Sequence, residues 1–249
     1  MKIGVLGYTG RVGKLIIQEL QSGDHDDLAL CGGCARNANI HEDFFATENP
    51  EALFTQSDVL IDFTTPNATM AHIEIAAKTA KPLVIGTTGL NEKQEQALYG
   101  SSAHAPILYA ANMSIGVNML MALVSQAAQK LGTDWDIEIN ETHHKHKIDS
   151  PSGTAIALGK EAATARNIDL TVNTDRSGAR KKGEIGFSVQ RGGDVVGEHM
   201  VTFFGTGERL QLGHIASDRT LFAKGALRAA RWIKDKPNGL YSMRDALEL

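Results

Sequence analysis

The sequence predicts an α/β fold in two parts: an N-terminal, doubly wound parallel sheet, then a smaller α+β domain with a mixed sheet. Short, continuously apolar runs alternate with helix-spaced segments through the first 112 residues, the pattern of strands covered on both faces by crossover helices. Beyond Asn112 the texture changes to one long helix and strand-like runs joined by polar turns. A length of 249 residues fits one medium domain plus a small one.

Lys2 to Gly7 reads as a buried strand, and Val12 to Gln21 as a helix with Val12, Leu15, Ile16 and Leu20 at helical spacing. Leu28 to Gly33 and Val59 to Phe63 are strand-like. Pro66 opens a helical stretch through Ala80, because proline suits a first helical turn. Pro82 to Gly86 is a strand, Asn91 to Tyr99 a helix, and Ile107 to Ala110 completes the parallel series. A longer helix follows, Ile115 to Leu131, then a strand, Asp136 to Glu141, and the most unusual segment of the chain, His143 to Thr154. Thr154 to Arg166 is helical. Glu184 to Gln190, His199 to Phe204 and Arg209 to Ile215 are spaced for an antiparallel or mixed sheet. Arg219 to Ile233 returns to helix, and a short tail, Met243 to Leu247, closes the chain.

Apolar residues at 42% and charged residues at 22% are ordinary for a globular protein. The net charge is −4, and only Arg180-Lys181-Lys182, beside Arg176, approaches a basic run. With cations otherwise scattered and aromatics at 6%, no nucleic-acid partner is expected. Met113 to Ala128 is too short and too polar to span a membrane. Met1 to Val5 enters a strand with no charged-then-apolar leader, so the expected compartment is cytoplasmic. Cys31-Gly32-Gly33-Cys34 invites a metal or redox reading. It lies in an apolar strand, however, where positions three apart face opposite sides, and no second pair completes a zinc site. No metal is expected.

Gly7-Tyr8-Thr9-Gly10-Arg11-Val12-Gly13 joins the first strand to the first helix. Its spacing is G-x-x-G-x-x-G, yet the physical task is met. Gly7 ends the strand, Gly10 admits a pyrophosphate, Gly13 allows close packing, and the helix start offers N–H groups. The N-terminal domain is therefore Rossmann-type and expected to bind a dinucleotide. An acid at the end of the second strand would favour NADH. This strand ends Cys34-Ala35-Arg36-Asn37, with no acid until Glu42. Arg36 suits a 2′-phosphate, so NADPH is expected to bind at least as well as NADH. Phe63-Thr64-Thr65-Pro66, Gly86-Thr87-Thr88-Gly89 and Ala110-Ala111-Asn112-Met113 follow three further strands, where a cofactor lies in such folds.

Glu141-Thr142-His143-His144-Lys145-His146-Lys147-Ile148-Asp149-Ser150-Pro151-Ser152-Gly153-Thr154 concentrates three of nine histidines just before a helix start. The helix end favours a carboxylate, and protonated imidazole and ammonium groups bind anions or deliver protons. A reductase that adds hydride to a conjugated imine needs both. Two other readings stay open. His143, His144, His146 and Asp149 hold a metal, although adjacent side chains diverge and Lys145 and Lys147 repel a cation. Or the histidines merely occupy a solvated loop.

The run E-x-H-H-x-x-K-x-D-x-P-S-G-T resembles the signature of the 4-hydroxy-tetrahydrodipicolinate reductases. The likeness extends over Gly7 to Gly13, Phe63-Thr64-x-Pro66, Gly86 to Gly89, Ala110-Ala111-Asn112 and Val196-Gly197-Glu198-His199. The resemblance implies His143 as general acid/base and Lys147 as proton donor. His144, Ser152, Gly153 and Thr154 would hold the carboxylates of a small cyclic dicarboxylate. Gly7, Tyr8, Thr9, Gly10, Arg11, Val12, Arg36, Gly86, Thr87, Thr88, Ala110, Ala111, Asn112 and Met113 would contact NADPH or NADH. It also implies a homotetramer built through the C-terminal domain. The final helix would return to the first domain, giving residues 1–112 with about 220–249, and 113–219. The implied reaction is reduction of the hydroxy-diacid with loss of water. Ala35 stands where some members have an acid, Thr65 where some have arginine, and Met113 where an aromatic is frequent. A different dehydrogenase or a dinucleotide sensor would share the first domain without needing the His-His-x-x-Lys run.

Overall fold

The computed structural model describes residues 1–38, 43–175 and 177–249. Glu42, the first acid after the second strand, and Arg176, beside the basic run, lie outside the described residues. The chain forms two compact units, Met1–Ile115 with Arg219–Leu249, and Gly116–Asp218.

In chain order the elements are β1 (Lys2–Leu6), α1 (Arg11–Gln21), β2 (Ala29–Cys34), β3 (Phe45–Thr47), α2 (Pro50–Gln56), β4 (Val59–Asp62), α3 (Pro66–Thr79), β5 (Leu83–Ile85), α4 (Glu92–Ser102) and β6 (Pro106–Tyr109). Then come α5 (Ile115–Leu131), β7 (Asp136–His143), α6 (Gly153–Ala165), β8 (Ile185–Arg191), β9 (Gly197–Phe204), β10 (Arg209–Ala216), α7 (Thr220–Ile233), β11 (Gly239–Tyr241) and α8 (Met243–Leu247). Among the described residues no helix is long and apolar enough to cross a membrane.

The first unit holds a seven-stranded sheet in the order β11-β6-β5-β4-β1-β2-β3, with every pair parallel. Alternation along each strand feeds two cores. Ile3, Val5, Ile61, Val84 and Leu108 meet Ile16 and Leu20 of α1 and Ala226, Leu227 and Ile233 of α7. Leu6, Leu60, Leu83, Ile85 and Ile107 meet Leu53 and Phe54 of α2, Ile73 of α3 and Leu98 of α4. Each fully buried side chain of this size contributes roughly 1.5–3 kcal/mol. Because the strands are buried on both faces, they read in the sequence as unbroken apolar runs.

The second unit is a four-stranded mixed sheet, β10-β9-β7-β8, antiparallel except for β7 with β8. Its core joins Ile137 and Ile139 of β7, Phe187, Val201 and Phe203 to Leu120 and Val124 of α5 and Leu158 of α6. β7 runs two residues past its expected end at Glu141, because pairing with β8 continues to His143 opposite Arg191. His143 is thus a strand residue.

Candidate active site

In the first unit the chain leaves β1 through Gly7, whose φ of +82° is a conformation open chiefly to glycine. A Cβ on Gly13 would fall 2.2 Å from the Gly7 carbonyl oxygen, so α1 begins hard against this turn. Gly10 is the N-cap, no side chain caps α1, and its first turn carries no acid. That leaves first-turn N–H groups and the positive helix end for an anion such as a pyrophosphate.

Beside this turn, at the carboxyl ends of the strands, lies a cleft of roughly 310 Å³ lined by Arg11, Val12, Phe63, Thr64, Gly86, Thr87, Thr88, Ala111, Met113 and Phe222. The volume suits a ring and its ribose. Seven of the expected cofactor residues are therefore brought together: Arg11, Val12, Gly86, Thr87, Thr88, Ala111 and Met113. Phe63, Thr64 and Phe222 join them; Phe222 comes from α7, which no local pattern links to this cleft. Gly7, Thr9, Gly10, Ala110 and Asn112 do not line it, and the Asn112 side chain accepts the Ser114 N–H at 2.9 Å. Tyr8 is buried, its ring edge-on to Phe44 at 5.6 Å, which makes it a core residue. Arg36 is exposed beyond β2. The two cysteines are free. Cys31 donates to the Gln56 carbonyl, and burial pushes the Cys34 thiol up to about 11, so it stays protonated.

In the second unit, alternation along β7 places Ile137, Ile139, Glu141 and His143 on the buried face. Two apolar residues feed the core, and the two polar ones beyond them must be satisfied. Glu141, 1% exposed, accepts from His143 Nδ1 at 2.5 Å, from Arg191 Nη1 and Nη2 at 2.7 and 2.8 Å, and from the Ser152 N–H at 2.8 Å. Burial pushes its pKa up, but Arg191, His143 and the Ser152 N–H outweigh that and hold the carboxyl below its ordinary value. The His143 ring therefore donates Nδ1–H and works through Nε2.

Burial, with help from Lys147 and Arg191, lowers the His143 pKa against the opposing pull of Glu141. The sequence suggests a protonated imidazole here; the folded site favours the neutral one, because desolvation penalises the charge. His199 is buried edge-on to His143 at 5.1 Å and hydrogen-bonded to the Ser152 hydroxyl at 3.0 Å, with its pKa pushed down to about 4 by burial.

Ser152 caps α6, its hydroxyl accepting the Ala155 N–H. Gly153 is exposed and the first turn carries no acid, so the positive end of α6 is open to a carboxylate. Lys147 Nζ pairs with Asp149 at 2.8 Å. His144 is half-buried, and its Nδ1 is buried with no hydrogen-bond partner among the described residues. His143, His144, Lys147, Ser152, Gly153 and Thr154 thus belong to one segment, between the end of β7 and the start of α6. Among the described residues no group of three or more His, Cys, Asp or Glu is arranged to hold a metal ion. Sequence reasoning gave no role to Glu141, Arg191 or His199. The first lies two residues before His143 in a strand-like run and was findable by alternation; the other two arrive by strand pairing.

The family model described as "Dihydrodipicolinate reductase, N-terminus" matches residues 1–113, and the one described as "Dihydrodipicolinate reductase, C-terminus" matches residues 116–247. The chain is 47% identical to a 4-hydroxy-tetrahydrodipicolinate reductase of Pseudoalteromonas translucida, covering 100% of this chain and 98% of that one. It is 48% identical to one of Zymomonas mobilis over the same shares. A solved, dipicolinate-bound dihydrodipicolinate reductase from Paenisporosarcina sp. TG-14 shares the fold at a TM-score of 0.83 and 21% identity, covering 97% of each chain.

Proposed function

The chain belongs to the dihydrodipicolinate reductase family, and from that premise we propose which of its residues carry the reaction. The reaction is NAD(P)H-dependent reduction of 4-hydroxy-tetrahydrodipicolinate to tetrahydrodipicolinate with loss of water, in lysine and diaminopimelate biosynthesis. When bound, the nicotinamide supplies the hydride. Arg11, Val12, Thr88, Ala111 and Met113 would hold that ring in the cleft, and the uncapped start of α1 would take the phosphates of the dinucleotide.

The protein's remaining work is proton transfer and anion binding. Loss of water from the cyclic hydroxy-imine leaves a conjugated imine, and reduction of one carbon leaves electron density on its partner, which takes one proton. Lys147 is the proton donor. His143, oriented by Glu141, takes up and releases a proton at Nε2. His144 and the Gly153-Thr154 helix start hold the two carboxylates. The observation that carries this reading is the Glu141–His143 bond beside an open, acid-free helix start.

Arg36, exposed at the end of β2 with Ala35 before it, supports NADPH binding at least as well as NADH. The unprotected outer strand β10 supports a homotetramer built through the second unit. The biosynthetic role of the relatives supports a cytoplasmic location.

A coupled assay on freshly generated substrate, run with each dinucleotide, tests the roles together. His143→Ala and Lys147→Ala each lower kcat on the order of 10²-fold or more with little change in KM, while His144→Ala chiefly raises the dicarboxylate KM. Unchanged turnover in both of the first two variants refutes the assignment. A clear NADH preference that Arg36→Ala leaves unaltered refutes the role of Arg36.

A further inference from the structure

Asp62 ends β4 at 0% exposure, and no step of the reaction uses it. A carboxylate buried so deeply is costly unless every oxygen is matched. Here His72 Nδ1 donates to Oδ2 at 2.8 Å, and the Thr64 and Thr87 hydroxyls donate to Oδ1 at 2.6 and 3.3 Å. The Thr87 hydroxyl in turn accepts the Thr64 N–H and the Thr69 hydroxyl, each at 3.0 Å. Thr87 lines the cleft, yet its side chain is spent inward, so what it offers a ligand is backbone.

The same network grips the neighbouring chain. Gly86 N–H donates to the Asp62 carbonyl at 2.9 Å, and Phe63 N–H to the Leu6 carbonyl at 3.1 Å. A Cβ on Gly86 would lie 2.3 Å from the Phe63 ring, and one on Gly7 would lie 2.5 Å from the Phe63 carbonyl oxygen. Phe63-Thr64 is therefore a wedge seated against both glycine loops, the one at the start of α1 and the one after β5. Its position sets the spacing between the phosphate end and the ring end of the cleft. Asp62, pinned from behind by His72 of α3, sets the position of the wedge.

We propose that Asp62 and His72, with Thr69, are positioning residues for the dinucleotide: they touch no ligand, but hold the Phe63-Thr64 wedge and the Thr87 backbone in the binding-competent shape. The proposal rests on reading this cleft as the dinucleotide site. Preorganisation of this kind acts on affinity, since a loop already fixed has less freedom to lose on binding.

Calorimetric titration of the full-length protein with NADPH and with NADH tests it, alongside KM for the dicarboxylate and thermal melting. His72→Leu removes the donor to Asp62. His72→Asn restores one near the position of Nδ1, and Thr69→Val removes one hydroxyl at constant shape. His72→Leu and Thr69→Val are expected to weaken dinucleotide binding roughly tenfold, the size of one net hydrogen bond, with the dicarboxylate KM unmoved. His72→Asn recovers most of the loss. A purely structural role lowers the melting temperature of all three variants and leaves the affinity of the folded protein where it was; that result overturns the proposal. If His72→Leu does not fold, Thr69→Val decides. Wild-type protein that binds neither dinucleotide overturns the cofactor reading itself, a failure distinct from variants that bind as well as wild type.

Discussion

Glu141 carries two donors on each carboxylate oxygen while almost wholly out of water, and this fixes three things at once: the His143 tautomer, the Arg191 guanidinium and the start of α6. Glu141→Gln keeps the size but turns one acceptor into a donor, so the ring and the guanidinium compete for the single oxygen left. Steady-state kinetics should show kcat falling on the order of 10²- to 10⁴-fold, the range a positioned acid or base supplies, with the dicarboxylate KM held within a few fold. Breaking a buried ion pair also costs about 3–5 kcal/mol, so melting must be followed in parallel. An unchanged kcat in folded protein would leave Glu141 a structural role only. The candidate site was legible as far as its titratable cluster, because His143, His144 and Lys147 stand close together in the chain. Its electrostatic sign was not. Burial lowers the His143 pKa, and burial at the end of β7 depends on Arg191 and His199, which strand pairing brings from elsewhere.

At the scale of the element, β9 sends Val201 and Phe203 into the core and places His199 on the same face, where the sheet turns polar. Burial first, then the neighbouring His143, pushes the His199 pKa from 6.5 down to about 4. Between those values the unfolded chain binds a proton that the folded one refuses. The stability linked to His199 is complete above pH 6.5 and is lost as pH falls toward 4, by roughly 3 kcal/mol in all. His143, shifted the same way, adds to it. Urea unfolding followed at Trp135, which lies against Gly205 beside β9, should lose stability steeply from pH 6.5 to 4.5. The slope should flatten in His199→Gln, and equal slopes in both proteins would contradict the linkage. The long elements of both units are written plainly in the sequence, since each shows a period of 3.6 or an unbroken apolar run. β3 and β11 span three residues each and α2 seven, too short for periodicity to register, and α2 is recognisable only through its Asn49 cap and Pro50.

For the molecule as a whole, the outer strand β10 poses a problem that one chain leaves unsolved. Among the described residues it pairs with β9 alone and ends the sheet. In register Gly213 stands opposite Met200 and Ile215 opposite Glu198, so Met200 and Ile215 share the outward face, 36% and 69% exposed, while Leu210 is 38% exposed on the other face. An eight-residue edge carrying exposed apolar side chains invites pairing. The usual protections, proline or inward charge, are missing from Arg209–Ala216. A second copy of the chain would cover such an edge with an identical edge, because a two-fold interface is self-complementary, and a four-chain particle would need one further patch. The Met200–Ile215 face supplies an apolar candidate for it. Sedimentation of the wild-type protein should give four chains per particle. Ile215→Lys combined with Leu210→Lys should shift it to dimers or monomers while dinucleotide affinity, set in the first unit, stays within about twofold. Monomeric wild-type protein at micromolar concentration would refute the assembly, and a double variant that still sediments as wild type would move the interface away from β10.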